Sequence, residues 1–170
     1  NHSLNDTILN IENIILQSDA SYVITGNDSS NILISGSGND TLSTGDGNDR
    51  LFGGLGDDTL IISGVGDAVL DGGEGVDKFK INLSNYTPSI PNPADFIYET
   101  DLSTGFTGSK LNPDAVNNDD LINIENIDYT GPYNAELTGD KGDNFIKSDV
   151  GDDILHGGDG NDILKSGDGN

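Results

Sequence analysis

Broken every nine residues, positions 35–60 read SGSGNDTLS, TGDGNDRLF and GGLGDDTL. Three features recur in phase. Glycine holds the second and fourth places (Gly36, Gly38, Gly45, Gly47, Gly54, Gly56), Asp the sixth (Asp40, Asp49, Asp58) and Leu the eighth (Leu42, Leu51, Leu60). Outward from this stretch the sixth place falls at Asn31, Asp67 and Asp77, allowing one inserted residue near Asp71, and again at Asn144, Asp153 and Asp162. The eighth place is then Leu33, Val69, Phe79, Ile146, Leu155 and Leu164, apolar each time. A period of nine with this pattern is a parallel β-helix signature. Six residues turn and three extend, so two nonapeptides complete one flattened coil. In the extended triplet the middle residue points inward and its neighbours outward. The expected fold is all-β, a right-handed parallel β-roll, or β-solenoid, with the eighth-place side chains stacked inside.

The composition agrees with turns joined by short strands. Of 170 residues 24 are Gly, and among the 30 acidic ones Asp outnumbers Glu 25 to 5, whereas an acidic helical protein would favour Glu. Gly tolerates positive φ, and Asp bonds its own backbone in turns. With 7 basic residues the net charge is -23, which excludes nucleic-acid binding by phosphate neutralisation. Cysteine is absent, so neither a disulfide nor a thiolate zinc site holds the fold. No apolar run approaches the roughly 18 to 20 residues of a membrane span.

A second repeat is longer. Residues 1–57 laid over residues 114–170 match at 22 of 57 positions, including Asn10–Ile14 over Asn123–Ile127. The chain thus holds one and a half copies of a 113-residue unit and reads as a segment of a longer polypeptide. Four parts are expected: the end of a connector (1–24), a first array (25–80), a connector of wider β-coils (81–138) and a second array (139–170). Within the connector, Lys80–Leu83, Phe96–Tyr98 and Leu121–Ile124 read as strands, and Pro88, Pro91, Pro93 and Pro113 mark loops. Asn10, Asn13, Asn123 and Asn126 could bond along the stack or serve as ordinary loop and strand residues.

The sixth-place carboxylates define the chemistry. Parallel strands stack about 4.8 Å apart, so Asp40 would face Asp58, and Asp49 would face Asp67, at about that distance. Coulomb's law gives a repulsion of about 1 kcal/mol per pair in water and about 3 at an effective dielectric of 20. A cation midway, with oxygen ligands at roughly 2.3–2.6 Å, fits this spacing, and that is calcium's range rather than magnesium's. Carbonyls of the glycine turns, around Gly36, Gly38, Gly45, Gly47, Gly54, Gly56, Gly158 and Gly160, would complete several Ca2+ sites.

Residues 35–42, 44–51, 53–60 and 157–164 resemble the repeats-in-toxin family, the hemolysin-type calcium-binding repeats. The resemblance implies that Asp40, Asp49, Asp58, Asp67, Asp77, Asp153 and Asp162 ligate calcium between adjacent coils, together with turn carbonyls. Asn31 and Asn144 depart from the pattern; an amide brings no charge, so sites pairing Asn31 with Asp49 or Asn144 with Asp162 should be weaker or merely capping. Ile62–Val65 replaces the usual glycines ahead of Asp67. Asp46, Asp159 and Asp168 at the third place, and Asp57 and Asp152 at the fifth, read as solvated turn residues. An EF-hand fails, because Asp46-x-Asn48-x-Arg50 breaks at its third ligand.

No Ser, His and Asp fall into a nucleophile motif, and neither His2 nor His156 anchors one. Glu12 and Glu125, at equivalent phases, read as repeat structure. Tyr22, Tyr86, Tyr98, Tyr129 and Tyr133 are expected to pack rather than to form a sugar-stacking surface. Two functions remain. One is a calcium-dependent structural segment of a large secreted bacterial surface protein, an adhesin or surface-layer-like polypeptide that folds outside the cell. The other is the noncatalytic calcium-binding tail of a secreted enzyme or toxin. Expected partners are calcium, neighbouring repeats of the same polypeptide and, for an adhesin, a cell-surface glycan or protein.

Overall fold

In the computed structural model, the described residues are 6–64, 66–84, 86, 97–109 and 119–169. His2, Phe96, Pro88, Pro91, Pro93 and Pro113 lie outside them, as does the side chain of Asn10. Among the described residues seventeen strands follow one another: β1 (Asp6–Ile11), β2 (Asn13–Ile15), β3 (Tyr22–Gly26), β4 (Ile32–Ile34), β5 (Thr41–Thr44), β6 (Arg50–Leu55), β7 (Thr59–Ile62), β8 (Val69–Glu74) and β9 (Lys78–Asn82) precede the connector. The connector and second array supply β10 (Ile97–Asp101), β11 (Phe106–Ser109), β12 (Asp119–Ile122), β13 (Asn126–Thr130), β14 (Asn134–Thr138), β15 (Phe145–Lys147), β16 (Ile154–His156) and β17 (Ile163–Lys165). Among the described residues there is no helix long and apolar enough to cross a membrane.

The strands alternate between two sheets. The first has the order β1-β3-β5-β7-β9-β13-β15-β17, parallel throughout. The second has the order β2-β4-β6-β8-β12-β11-β10-β14-β16. The nine-residue period therefore produces the expected β-solenoid. Register places Ile24, Leu42, Leu60, Phe79, Ile127 and Ile146 in one column, all fully buried. Leu33, Leu51 and Leu70 form the facing column, also fully buried. Each such side chain contributes about 1.5–3 kcal/mol by leaving water.

The inserted residue lies earlier than the sequence suggests. Pairs up to Thr44↔Ile62 are 18 residues apart, whereas Arg50↔Val69 and Leu51↔Leu70 are 19 apart, so the register changes between Ile62 and Val69. The inward residue of β8 is consequently Leu70 rather than Val69, and the sixth place of that coil is Ala68 rather than Asp67.

The connector departs further from a simple coil. Where one strand would close a turn between β8 and β14, the second sheet has three, with β11 antiparallel to both β10 and β12. Two additional strands widen this sheet by about 10 Å relative to a single strand. Aromatic and hydroxyl groups fill the space: Tyr98 and Tyr129 stack at 5.7 Å, both fully buried, and Thr107 donates to the Tyr98 hydroxyl at 2.7 Å. Tyr133 donates to the Tyr86 carbonyl and Tyr129 to the Tyr133 carbonyl. These four tyrosines pack against the core, as expected of them.

The 113-residue repeat holds an odd number of half-coils, so equivalent residues of its two copies fall on opposite sheets. Glu12 precedes β2 of the second sheet, but its equivalent Glu125 precedes β13 of the first. Asp49 and Asp162 are exchanged in the same way.

Candidate metal centre

The turns entering the first-sheet strands form one edge of the solenoid, and those entering the second-sheet strands form the other. Along the first edge the sixth-place residues rise in register as Asp40, Asp58, Asp77, Glu125, Asn144 and Asp162. Each Asp of the first array is used in the same way. Asp40 Oδ1 accepts the Tyr22 N–H at 2.7 Å, Asp58 Oδ1 accepts the Asp40 N–H at 2.7 Å, and Asp77 Oδ1 accepts the Asp58 N–H at 2.8 Å. The carboxylate thus satisfies a backbone donor of the coil below with one oxygen. The other oxygen is left over: Asp58 Oδ2 and Asp77 Oδ2 are buried and have no hydrogen-bond partner among the described residues.

This arrangement is costly for carboxylates in water-poor turns. Burial, reinforced by Asp40, Asp77 and Asp57 and opposed by the Asp40 N–H, pushes the Asp58 carboxyl up to about 7. Burial likewise pushes Asp77 up to about 6, with Glu125, Asp57 and Asp71 adding to it and the Asp58 N–H opposing. The space beside the orphaned oxygen depends on glycine. A Cβ on Gly53 would collide with Asp58 Oδ2 and approach the Gly72 carbonyl, so this carboxylate oxygen and a carbonyl of the next coil meet over a bare α-carbon. At Gly54 and Gly56 φ is +111° and +110°, and a Cβ there would strike the Gly36 and Gly38 carbonyls of the coil below. Oxygens thus line the turns at successive levels, an all-oxygen donor set suited to a hard divalent cation.

The second edge is interrupted. Asp49 Oδ1 accepts the Asn31 N–H at 2.8 Å, and its Oδ2 is another buried oxygen without a partner. Burial raises its pKa, with Asp46 adding and the Asn31 N–H opposing; the Thr44 hydroxyl also lowers it, though that hydroxyl falls short of hydrogen-bond geometry. The next level up is Ala68, so the expected pairing of Asp49 with Asp67 is not formed. Asp67 is exposed, and its N–H donates to Asn48 Oδ1 at 3.2 Å. That bond belongs to a separate fifth-place ladder, in which the Asp57 N–H donates to Asn39 Oδ1 and the Val76 N–H to Asp57 Oδ1. Asp57 therefore serves as an acceptor for the following coil.

The sequence missed two acidic residues in sixth-place slots. Asp119, buried, accepts the Ala68 N–H at 2.8 Å through Oδ1, and Glu125 Oε2 accepts the Asp77 N–H at 2.6 Å. Both carry a readable local signal, Asp119-x-Leu121 and Glu125-x-Ile127, matching Asp58-x-Leu60.

In the second array, Asp153 Oδ1 accepts the Ala135 N–H, its Oδ2 is buried without a partner, and Asp162 Oδ1 accepts the Asn144 N–H. The two Asn residues are satisfied by protein groups. Asn31 takes the Asn27 N–H on Oδ1 and donates to the Ser29 carbonyl, while Asn144 takes the Asp140 N–H and donates to the Glu125 carbonyl. Of the connector asparagines, Asn126 Oδ1 accepts the Phe145 N–H and Asn123 donates to Asp71, both across levels, whereas Asn13 is exposed. Asp46, Asp152, Asp159, Asp168 and His156 are exposed.

Two facing sheets, parallel except at β11, with acidic sixth-place ladders and glycine-dependent turns define a β-roll of the calcium-binding nonapeptide type. Residues 25–60 and 129–170 match the RTX calcium-binding nonapeptide repeat, in four copies, and these stretches are RTX repeats. A comparison with curated proteins finds no match to the chain. The donor set fits calcium: oxygen ligands only, with buried carboxylate oxygens left over at successive levels. Among the described residues no three acidic or His side chains converge on one point, so any site combines side-chain carboxylates with backbone carbonyls.

Proposed function

We propose that this chain is a calcium-dependent structural β-roll segment of a large secreted bacterial surface protein, adhesin- or surface-layer-like, which folds on meeting calcium outside the cell. The single observation that carries the reading is the stack of buried carboxylates on the first edge: Asp40, Asp58 and Asp77 each cap the coil below with Oδ1, and Oδ2 of Asp58 and of Asp77 is buried with no partner among the described residues. Asp40, Asp58 and Asp77 hold the principal sites, with carbonyls of the Gly36–Gly38, Gly54–Gly56 and Gly72–Gly75 turns. Asp49, Asp153 and Asp162 occupy equivalent places where the ladders are less complete, and Asn31 and Asn144 act as caps. Asp67, exposed and in a fifth-place slot, is not a ligand in this reading.

Bound calcium supplies the positive charge that opposes carboxylate repulsion. Without it the three ladder carboxylates repel one another, and the coil is biased toward the open chain. Sites of the extracellular class, with affinities of about 10⁻⁴–10⁻³ M, fill where calcium is roughly millimolar. Folding would therefore follow export, and the 113-residue duplication supports a tandem structural role. The test is a calcium titration followed by far-ultraviolet circular dichroism: β content should rise sigmoidally and fall on chelation. Full β content in excess chelator at pH 8 would overturn the proposal.

A further inference from the structure

We infer that Asp77, Glu125 and the Asn123 carbonyl form a further calcium site at the seam between the first array and the connector, outside the stretches matched to the repeat. The inference rests on the reading that sixth-place carboxylates bind calcium, and extends it to a Glu the nine-residue period does not reach. Glu125 stands one level above Asp77, since Asn126 pairs with Lys78. It continues the ladder by accepting the Asp77 N–H, as Asp77 accepts that of Asp58. Asp77 is fully buried with Oδ2 unpartnered.

The carbonyl comes from a different kind of turn. Regular turns run from Gly53 to Asp58 and from Gly72 to Asp77, but the chain above passes from Asn123 to Glu125 with Ile124 alone between them. Asn123 has φ 51°, the one positive value at a non-Gly position among the described residues, and its side chain is held by Asp71 Oδ1 at 2.9 Å. A Cβ on Gly72 would run into the Asp77 carboxyl carbon and the Asn123 carbonyl oxygen. One level below, a Cβ on Gly53 would meet the Asp58 carboxylate, there at Oδ2, and the Gly72 carbonyl. The short turn lacks the carbonyls of a full nonapeptide, so this site has fewer protein oxygens and is weaker than those beneath it. Above it the acidic ladder is interrupted at Asn144, which is satisfied by the Glu125 carbonyl and by Asp140.

The experiment is calcium stoichiometry of the full chain by native mass spectrometry and titration calorimetry, for the parent and Glu125→Gln. The Gln oxygen can still accept the Asp77 N–H, so the coil is retained. The variant should bind one calcium fewer and lose the weakest step of the isotherm. An unchanged count and isotherm would overturn the inference while leaving the array sites standing; a parent chain that binds no calcium would remove the underlying reading as well. Should the variant fail to fold, crystals of the parent grown in calcium decide the matter: an anomalous peak between Asp77 and Glu125 supports the site, and its absence refutes it.

Discussion

Replacing Asp58 by Asn separates the two tasks assigned to the sixth-place carboxylate. Oδ1 caps the Asp40 N–H at 2.7 Å, which an amide oxygen can do equally well. Oδ2 carries charge into a buried position between Asp40 and Asp77, which an amide cannot do. In chelator, the folded-state pKa of about 7 lies above the ordinary 3.8, so the folded form holds its proton more tightly than the unfolded chain. That stability is fully present below pH 3.8 and is lost as pH rises through about 7. A shift of this size is worth at most about 4 kcal/mol, and salt screening at the solenoid edge reduces it to about 2–4 kcal/mol. The calcium-free variant should therefore be more stable than the parent at pH 8, by about 2 kcal/mol or more, with a flatter pH profile between 4 and 7. In calcium the order reverses, because the variant has lost a ligand shared by two levels. The β content of each chain in chelator, followed by circular dichroism across pH, and thermal unfolding in calcium read the two effects. A variant less stable than the parent in chelator at pH 8, with its calcium response intact, would refute the reasoning.

Two further outcomes follow from the register. Asp67→Asn should leave calcium stoichiometry unchanged by native mass spectrometry, whereas Asp49→Asn should reduce it or weaken a step; equal losses would restore Asp67 to the sixth place. Gly54→Ala should destabilise the folded, calcium-loaded chain by about 1–3 kcal/mol or more in thermal unfolding, since φ is +111° and the Cβ would meet the Gly36 carbonyl. A neutral result would show that the turns do not stack as described.

The sequence made the β-roll legible because a buried column and a turn glycine each recur at a fixed interval. It misplaced one residue for an equally physical reason. In Asp67-Ala68-Val69-Leu70 both Val69 and Leu70 are apolar, so Asp-x-Val satisfies the pattern as well as the true inward Leu70 does. Strand pairing alone, Arg50 with Val69, reveals the slip. The antiparallel β11 was not legible, because local alternation is the same in either direction and the pairing is set by contacts distant in sequence. Asp119 and Glu125 carried the right local signal but sat outside the period of nine. The fifth-place ladder was hidden for a different reason: its Asn39, Asn48 and Asp57 look like ordinary turn residues until their donors in the next coil are seen.

Anomalous diffraction above the calcium background, from crystals grown in millimolar calcium, tests the central claim most directly. The account predicts discrete peaks between Asp40 and Asp58 and between Asp58 and Asp77, each with carboxylate and carbonyl oxygens at about 2.3–2.6 Å. Well-ordered side chains at those levels with only water between them would contradict it.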